Sequence, residues 1–143
     1  MISQKRSTML LLGCLLAYSP IASAEEAKVK MEELLKTTTS WDGATYKAYP
    51  SGQPELSIVK VTIPPHTKMK WHTHPMPNAG YVLSGDQTVE RQDGKAKQHV
   101  SAGQTIPETV GMVHRGVSGD AGAVLIVFYA GAKGMPLFET PKN

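Results

Sequence analysis

Residues 71–85 read Trp71-His72-Thr73-His74-Pro75-Met76-Pro77-Asn78-Ala79-Gly80-Tyr81-Val82-Leu83-Ser84-Gly85. The first part is strand-like. Side chains alternate along a strand, so His72 and His74 are expected on one face. Two imidazoles on one face can grip a single metal ion. A His-x-His pair alone is weak support for a metal site, because solvated strand surfaces carry such pairs too.

Working outward, most of the chain has the patterning of short strands. Leu56–Ile63 sets Val59, Val61 and Ile63 on one face and Lys60 and Thr62 on the other, and Pro64-Pro65 ends it. Gln87–Gln92 and Lys95–Val100 flank Asp93-Gly94, a hairpin signal in which both turn positions are expected at positive φ. Ala123–Ala130 is a continuous apolar run, as expected of a strand buried on both sides. Met69–His74, Gly80–Leu83, Gln104–Ile106 and Met112–Val117 complete a set of eight or nine short strands. That set predicts an antiparallel sandwich or closed barrel. One helix is expected, over Glu25–Lys36, with Ala27, Met31, Leu34 and Leu35 on a stripe and Glu32 four residues before Lys36. The tail Gly131–Asn143, with Pro136 and Pro141, is expected along the surface.

His72-x-His74, then Asn78, then Gly85 resembles the first cupin motif, in which two histidines, a glutamate and a glycine hold this spacing. Gly103, followed eight residues on by Gly111 and three later by His114, resembles the second. The resemblance implies an all-β fold, a small antiparallel jelly-roll β-barrel with a short N-terminal helix. A single domain would occupy residues 25–143, with its core at about 56–130. Three departures stand out. Asn78 replaces the usual glutamate ligand, Thr109 replaces a usual proline, with Pro107 two residues upstream, and His66 stands where the family often has glycine.

The ligand set implied by the resemblance is His72, His74 and His114, with Asn78 placed to touch a substrate or a ligand's surroundings. Three neutral imidazoles leave a divalent ion its full charge and an open position, which favours an anionic, oxygen-rich molecule. Fe, Cu, Zn, Ni or Mn are all open, and intrinsic affinity favours copper. Some cupin dioxygenases resemble this arrangement in using three histidines without the acid. The expected function is therefore a metal-dependent oxygenase acting on a small anionic molecule. The alternative is a non-catalytic cupin that binds a small ligand or a metal, and turnover is left open. Copper handling through Met76 and Met112, both of histidine parity, is a third option. No carboxylate lies on the motifs: Glu90 reads as a polar hairpin face and Glu108 as a loop, so the site lacks an obvious base. His66 and His99 read as surface residues, Trp71 as packing, and Tyr81 and Tyr129 as ordinary strand tyrosines.

The chain has 143 residues, enough for one small domain, with 15 Lys+Arg against 12 Asp+Glu. Two of the positive charges, Lys5 and Arg6, sit at the N-terminus, and no basic run interleaved with aromatics follows, which argues against nucleic acid as a partner. Residues 1–24 have the grammar of a signal peptide: Lys5 and Arg6, an apolar stretch Met9–Tyr18, then Ala22-Ser23-Ala24. Cleavage after Ala24 predicts a periplasmic or secreted protein. Lipidation at Cys14 is the minor alternative, with only Met9–Leu12 as an apolar stretch before it. The one cysteine, Cys14, would leave with the leader, excluding disulfides and thiolate chemistry from the mature chain. No later apolar run reaches the roughly 20 residues of a membrane-spanning helix. A small-molecule ligand is the expected partner, with a homodimer open.

Overall fold

In the computed structural model of the chain, residues 28–141 are described. The chain divides into two compact units, Met1–Met31 and Glu32–Asn143. In the first, residues 28–31 carry neither helix nor strand. The second carries five antiparallel strands: β1 (Pro54–Ile63), β2 (Asn78–Arg91), β3 (Lys97–Ser101), β4 (Thr105–Pro107) and β5 (His114–Ala132). Their order is β1-β5-β2-β3, and β4 also pairs with β2.

The strands are fewer and longer than the sequence suggests. Gly80–Leu83 and most of Gln87–Gln92 fuse into β2, and much of Met112–Val117 joins Ala123–Ala130 in β5. The fusion works because the pair bends without breaking. Its register runs from Asn78↔Tyr129 to Gly85↔Ala123, then resumes at Gln87↔Ser118 and continues to Arg91↔His114. Gly85 and Gly122 occupy the bend at φ +71 and +70. A Cβ on Gly85 would overlap the Gly122 carbonyl, so only glycine lets the backbones approach this closely. The bend curls the sheet into a small barrel.

Along β5 burial alternates: Leu125, Val127 and Tyr129 are buried, while Phe128 is 40% exposed. The expectation of a strand buried on both sides is corrected: the outer-face residues Val124, Ile126 and Ala130 are only half-buried and Phe128 is exposed. The inner residues join Ile63, Val82, Val89, Val100 and Ile106 in one core. The Asp93-Gly94 turn falls where expected, but only Gly94 has positive φ. Arg91 N–H donates to the Ala96 carbonyl and Gly94 N–H to that of Arg91, closing a longer loop that the Asp93 carboxylate ties to the Arg91 guanidinium.

The N-terminal helix is not seen. Residues 25–27 of the expected span lie outside the described residues, and 28–36 are non-helical. An isolated helix of about three turns is marginal in water unless an apolar face is buried. Here Val29, Met31, Leu34 and Leu35 are all exposed. The Leu34 carbonyl instead accepts a hydrogen bond from Thr105 Oγ1 on β4. The tail is also more than a surface strap: Met135 and Leu137 pack against the core, and Glu139 exchanges two backbone hydrogen bonds with Thr73.

Candidate metal centre

Met69–His74 is not a regular strand but a segment stitched to its neighbours by single bridges. His72 and His114 exchange N–H···O bonds of 3.0 Å in both directions, and Gly111 N–H donates to the His74 carbonyl. These bridges bring the two motif segments side by side. His72, His74 and His114 converge, with one potential ligand atom from each lying within 4.8 Å of the others. His74 and His114 are buried and His72 is half-buried.

The ring orientations are set by main-chain carbonyls. His72 Nδ1 lies 2.8 Å from the Lys70 carbonyl, His74 Nδ1 2.7 Å from that of Leu137, and His114 Nδ1 2.8 Å from that of Met112. A carbonyl only accepts, so each Nδ1 carries a proton and donates, leaving Nε2 as the atom free to ligate. Thr109, fully buried, places Oγ1 3.2 Å from His114 Nδ1. The residue standing in for the motif's proline therefore touches a site histidine and does more than reshape a turn.

Glu108 was missed in the sequence and belongs to the site. Its Oε2 lies 3.2 Å from His114 Nε2, yet neither atom has an aligned hydrogen-bond partner. Glu108 is reached through the end of β4 and is held from both sides: its N–H donates to the Asn78 carbonyl, and Tyr46 Oη–H donates to its own carbonyl. Glu108 is a loop residue as expected, just after β4, but its placement away from the site is corrected. A signal was available, because an acid missing at position 78 calls for a carboxylate elsewhere, and Glu108 stands six residues before His114.

Burial pushes His74 down to about 4 and lowers His72 as well, so both are neutral near pH 7. For Glu108 burial works upward but is outweighed by the facing His114 and then by His74 and His72, so the carboxyl stays below its usual range. Burial likewise opposes charge on His114, and the Glu108 carboxylate overrides it and raises that pKa. Tyr129 is pushed up to about 12 by burial and then by the Glu108 charge, and it remains a phenol.

The histidines and Glu108 border a cavity of about 50 Å³ inside the barrel. Val61, Ile63, Val89, Leu125 and Val127 form apolar walls, and Asn78, Gln87 and Tyr129 add polar groups. Asn78 is buried, donates its Nδ2–H to the Met76 carbonyl at 3.3 Å, and leaves Oδ1 without a partner. Gln87 Oε1 is likewise buried and unpartnered, packed against Gly116, where a side chain would collide with it. Neither Met76 nor Met112 borders this cavity. His66 and His99 lie away from it, exposed, 3.7 Å from Asp120 and 3.9 Å from Asp86. His66 has φ +52, the left-handed conformation that explains why glycine suits that position. Trp71 stacks under the Arg115 guanidinium at 4.1 Å, Glu90 pairs with Lys97 and Arg115, and Tyr81 lies off the cavity.

The family described as Cupin domain matches residues 59–129. No curated protein matches the chain. Among solved structures, the DMSP lyases RdDddP and RnDddQII align with a TM-score of 0.53 at 17% identity over 61% of this chain and 44% of theirs, so this chain spans under half their length. An uncharacterized conserved protein with a double-stranded β-helix domain from Klebsiella pneumoniae aligns at 0.52 and 20% identity, over 67% and 86% of the two chains. A cupin-like protein from Thermotoga maritima aligns at 0.51 and 16%, over 62% and 65%. At these identities the likeness is one of fold. Two motif segments brought edge to edge inside a small antiparallel barrel, together with the matched domain, identify the chain as a member of the cupin superfamily.

Proposed function

We propose that this chain is an exported, metal-dependent cupin that binds one divalent transition ion through Nε2 of His72, His74 and His114 and acts on a small anionic molecule. The observation that carries the reading is the set of three Nδ1–H groups held by main-chain carbonyls, which aims three neutral lone pairs at one point. Such donors suit Fe, Cu, Zn, Ni or Mn, and the orphaned Oε2 of Glu108 beside them is an anionic group that a cation would satisfy. The bound ion would supply Lewis acidity and, for iron or copper, redox chemistry.

The protein's own part is to hold and orient. Three neutral histidines and one carboxylate leave a divalent site with net positive charge, which favours an anionic molecule chelating through oxygen. The unpartnered Asn78 Oδ1 can accept a hydrogen bond from that molecule, and apolar side chains wall the space around it. An oxygenase remains the preferred class. A second reading, a metal- or ligand-binding module without turnover, is favoured by the cavity's size. About 50 Å³ holds a few waters, far below the several hundred Å³ usual for ligand sites. Removal of residues 1–24 on export, placing the mature chain in the periplasm or outside the cell, is part of the proposal.

Elemental analysis of protein purified from its native compartment tests the core claim. About one transition ion per chain is expected, and none would overturn it. With the metal known, dioxygen uptake in the presence of small diketones, catechols or keto acids separates the enzyme from the binding module.

A further inference from the structure

Position 78 is where the cupin pattern places its acid, and this chain has Asn78 there. The carboxylate next door comes from the residue that follows β4. Glu108 N–H donates to the Asn78 carbonyl at 2.9 Å, so the two residues are backbone neighbours across the β2–β4 pairing, just beyond its last paired residues, Ala79 and Pro107. Both border the cavity that the three histidines close. We infer that Glu108 is the fourth, anionic ligand of the metal centre, the acid having moved from position 78 to position 108, and that Asn78 is thereby released to face an incoming molecule.

Three observations carry this, and the inference rests on the metal reading above. First, geometry: with metal–nitrogen and metal–oxygen bonds near 2.0–2.2 Å, adjacent ligand atoms stand about 2.9–3.4 Å apart between octahedral and tetrahedral angles. Glu108 Oε2 and His114 Nε2 are 3.2 Å apart. Second, satisfaction: Oε2 is buried and has no aligned hydrogen-bond donor, although buried carboxylates almost always have partners. His114 Nε2, the one group facing it, is the atom proposed to hold the metal. An ion seated there takes away that neighbour as a donor and must itself answer the carboxylate. Third, positioning: Glu108 is fixed by its own N–H to Asn78 and by the Tyr46 hydroxyl on its carbonyl, the kind of outer support metal ligands carry. The mutual 4.8 Å set holds only the three histidines, so Glu108 closes on the ion by a small side-chain adjustment.

The relocation changes which side of the ion is open. An acid at position 78 would sit in the face that Asn78 now borders. With the acid at 108, that face presents a neutral amide whose Oδ1 is unpartnered. A small ligand carrying both an anionic oxygen and a hydroxyl or amino donor fits it best.

Cobalt(II) titration of metal-free protein, followed by its visible absorption, tests the assignment. Four proteins are compared: wild type, Glu108→Gln, Asn78→Glu and the exchange variant carrying both, each checked for fold by circular dichroism. Glu108→Gln should weaken cobalt binding by roughly tenfold or more and change the cobalt spectrum, and the exchange variant should recover most of the affinity. Unchanged affinity in Glu108→Gln overturns the inference. So does weakened binding with an unaltered spectrum, which would make Glu108 a residue that only positions His114. Failure of a folded exchange variant to recover affinity overturns the relocation. If wild type itself binds no cobalt, the metal reading falls first and this inference with it.

Discussion

The N–H of Glu108 donates to the carbonyl of Asn78 at 2.9 Å, although the two belong to different motif segments. One backbone bond thus makes the missing acid and the extra acid neighbours. The second link, Oε2 of Glu108 at 3.2 Å from Nε2 of His114, joins that pair to the histidines. One main-chain bond and one side-chain contact therefore bring Asn78, Glu108 and His114 together.

Asn78→Glu adds a second carboxylate to a cavity that already holds Glu108. Metal should be retained more tightly, and the metal-loaded protein should bind small anions more weakly by about 1 to 3 kcal/mol, or roughly fivefold to 150-fold. Azide titration of the cobalt-loaded proteins measures this. Equal affinities in wild type and variant would remove Asn78 from the site.

His114→Ala should abolish tight metal binding while the barrel stays folded, since Ile63, Val82, Leu125 and Val127 pack independently of the ion. It also strands the buried Glu108 carboxylate, so the metal-free variant should lose about 3 kcal/mol of stability. Adding Glu108→Gln should return most of that loss. His66→Ala, at an exposed position, should leave both properties unchanged. Denaturant unfolding of the metal-free proteins compares them, and no recovery in the double variant would mean that Glu108 is not stranded.

Metal uptake should release protons, chiefly from His114. The facing Glu108 carboxylate outweighs burial and raises the His114 pKa, whereas burial lowers His74, to about 4, and His72 as well. Affinity should therefore climb as pH rises through the neutral range. Titration calorimetry in buffers of different ionisation enthalpy counts the protons, and zero would contradict the His114–Glu108 pairing. On the acid side, the folded-state pKa of His74 lies below its unfolded value. Its contribution is complete above about 6.5 and is lost as pH falls towards 4, amounting to about 3 kcal/mol.

The carbonyl of Leu137 holds His74 Nδ1 at 2.7 Å, so deleting residues 134–143 should weaken metal binding roughly tenfold to a hundredfold. Leu137→Ala keeps the carbonyl and should keep the affinity, at the expense of core packing. Parallel metal titrations decide between them, and equal losses would make the tail a packing element only.

Intact mass of the exported protein should correspond to a chain beginning at Glu25. A lipid-sized addition on a chain beginning at Cys14 would establish lipoprotein processing instead.

Fold class was legible in the sequence because strand alternation, Pro64-Pro65 and Asp93-Gly94 rest on rules that act over a few residues. Alternation also put His72 and His74 on one face, whereas His114 joined them only through the resemblance of its spacing from Gly103 and Gly111 to the second cupin motif. The glycine of the first motif has a readable reason as well: Gly85 lies against the Gly122 carbonyl, where no side chain fits.

Tertiary structure alone decided the rest. Local pattern does not show whether two strand segments join through a bend, so β2 and β5 emerged only from pairing across Gly85 and Gly122. A helical stripe forms a helix only where its apolar face is buried, and Val29, Met31, Leu34 and Leu35 all remain exposed. The same holds for the site. The Leu137 carbonyl reaches His74 from 63 residues away and Gln87 joins the cavity lining from another part of β2, and neither sequence neighbourhood marks this; Glu108 and Thr109 stand close to His114 in sequence, but only the fold turns their side chains towards it. A carboxylate in a polar stretch looks like a solvated loop until the barrel closes over it. Burial, a property of the whole fold, leaves the Oε2 of that carboxylate without a hydrogen-bond partner beside His114.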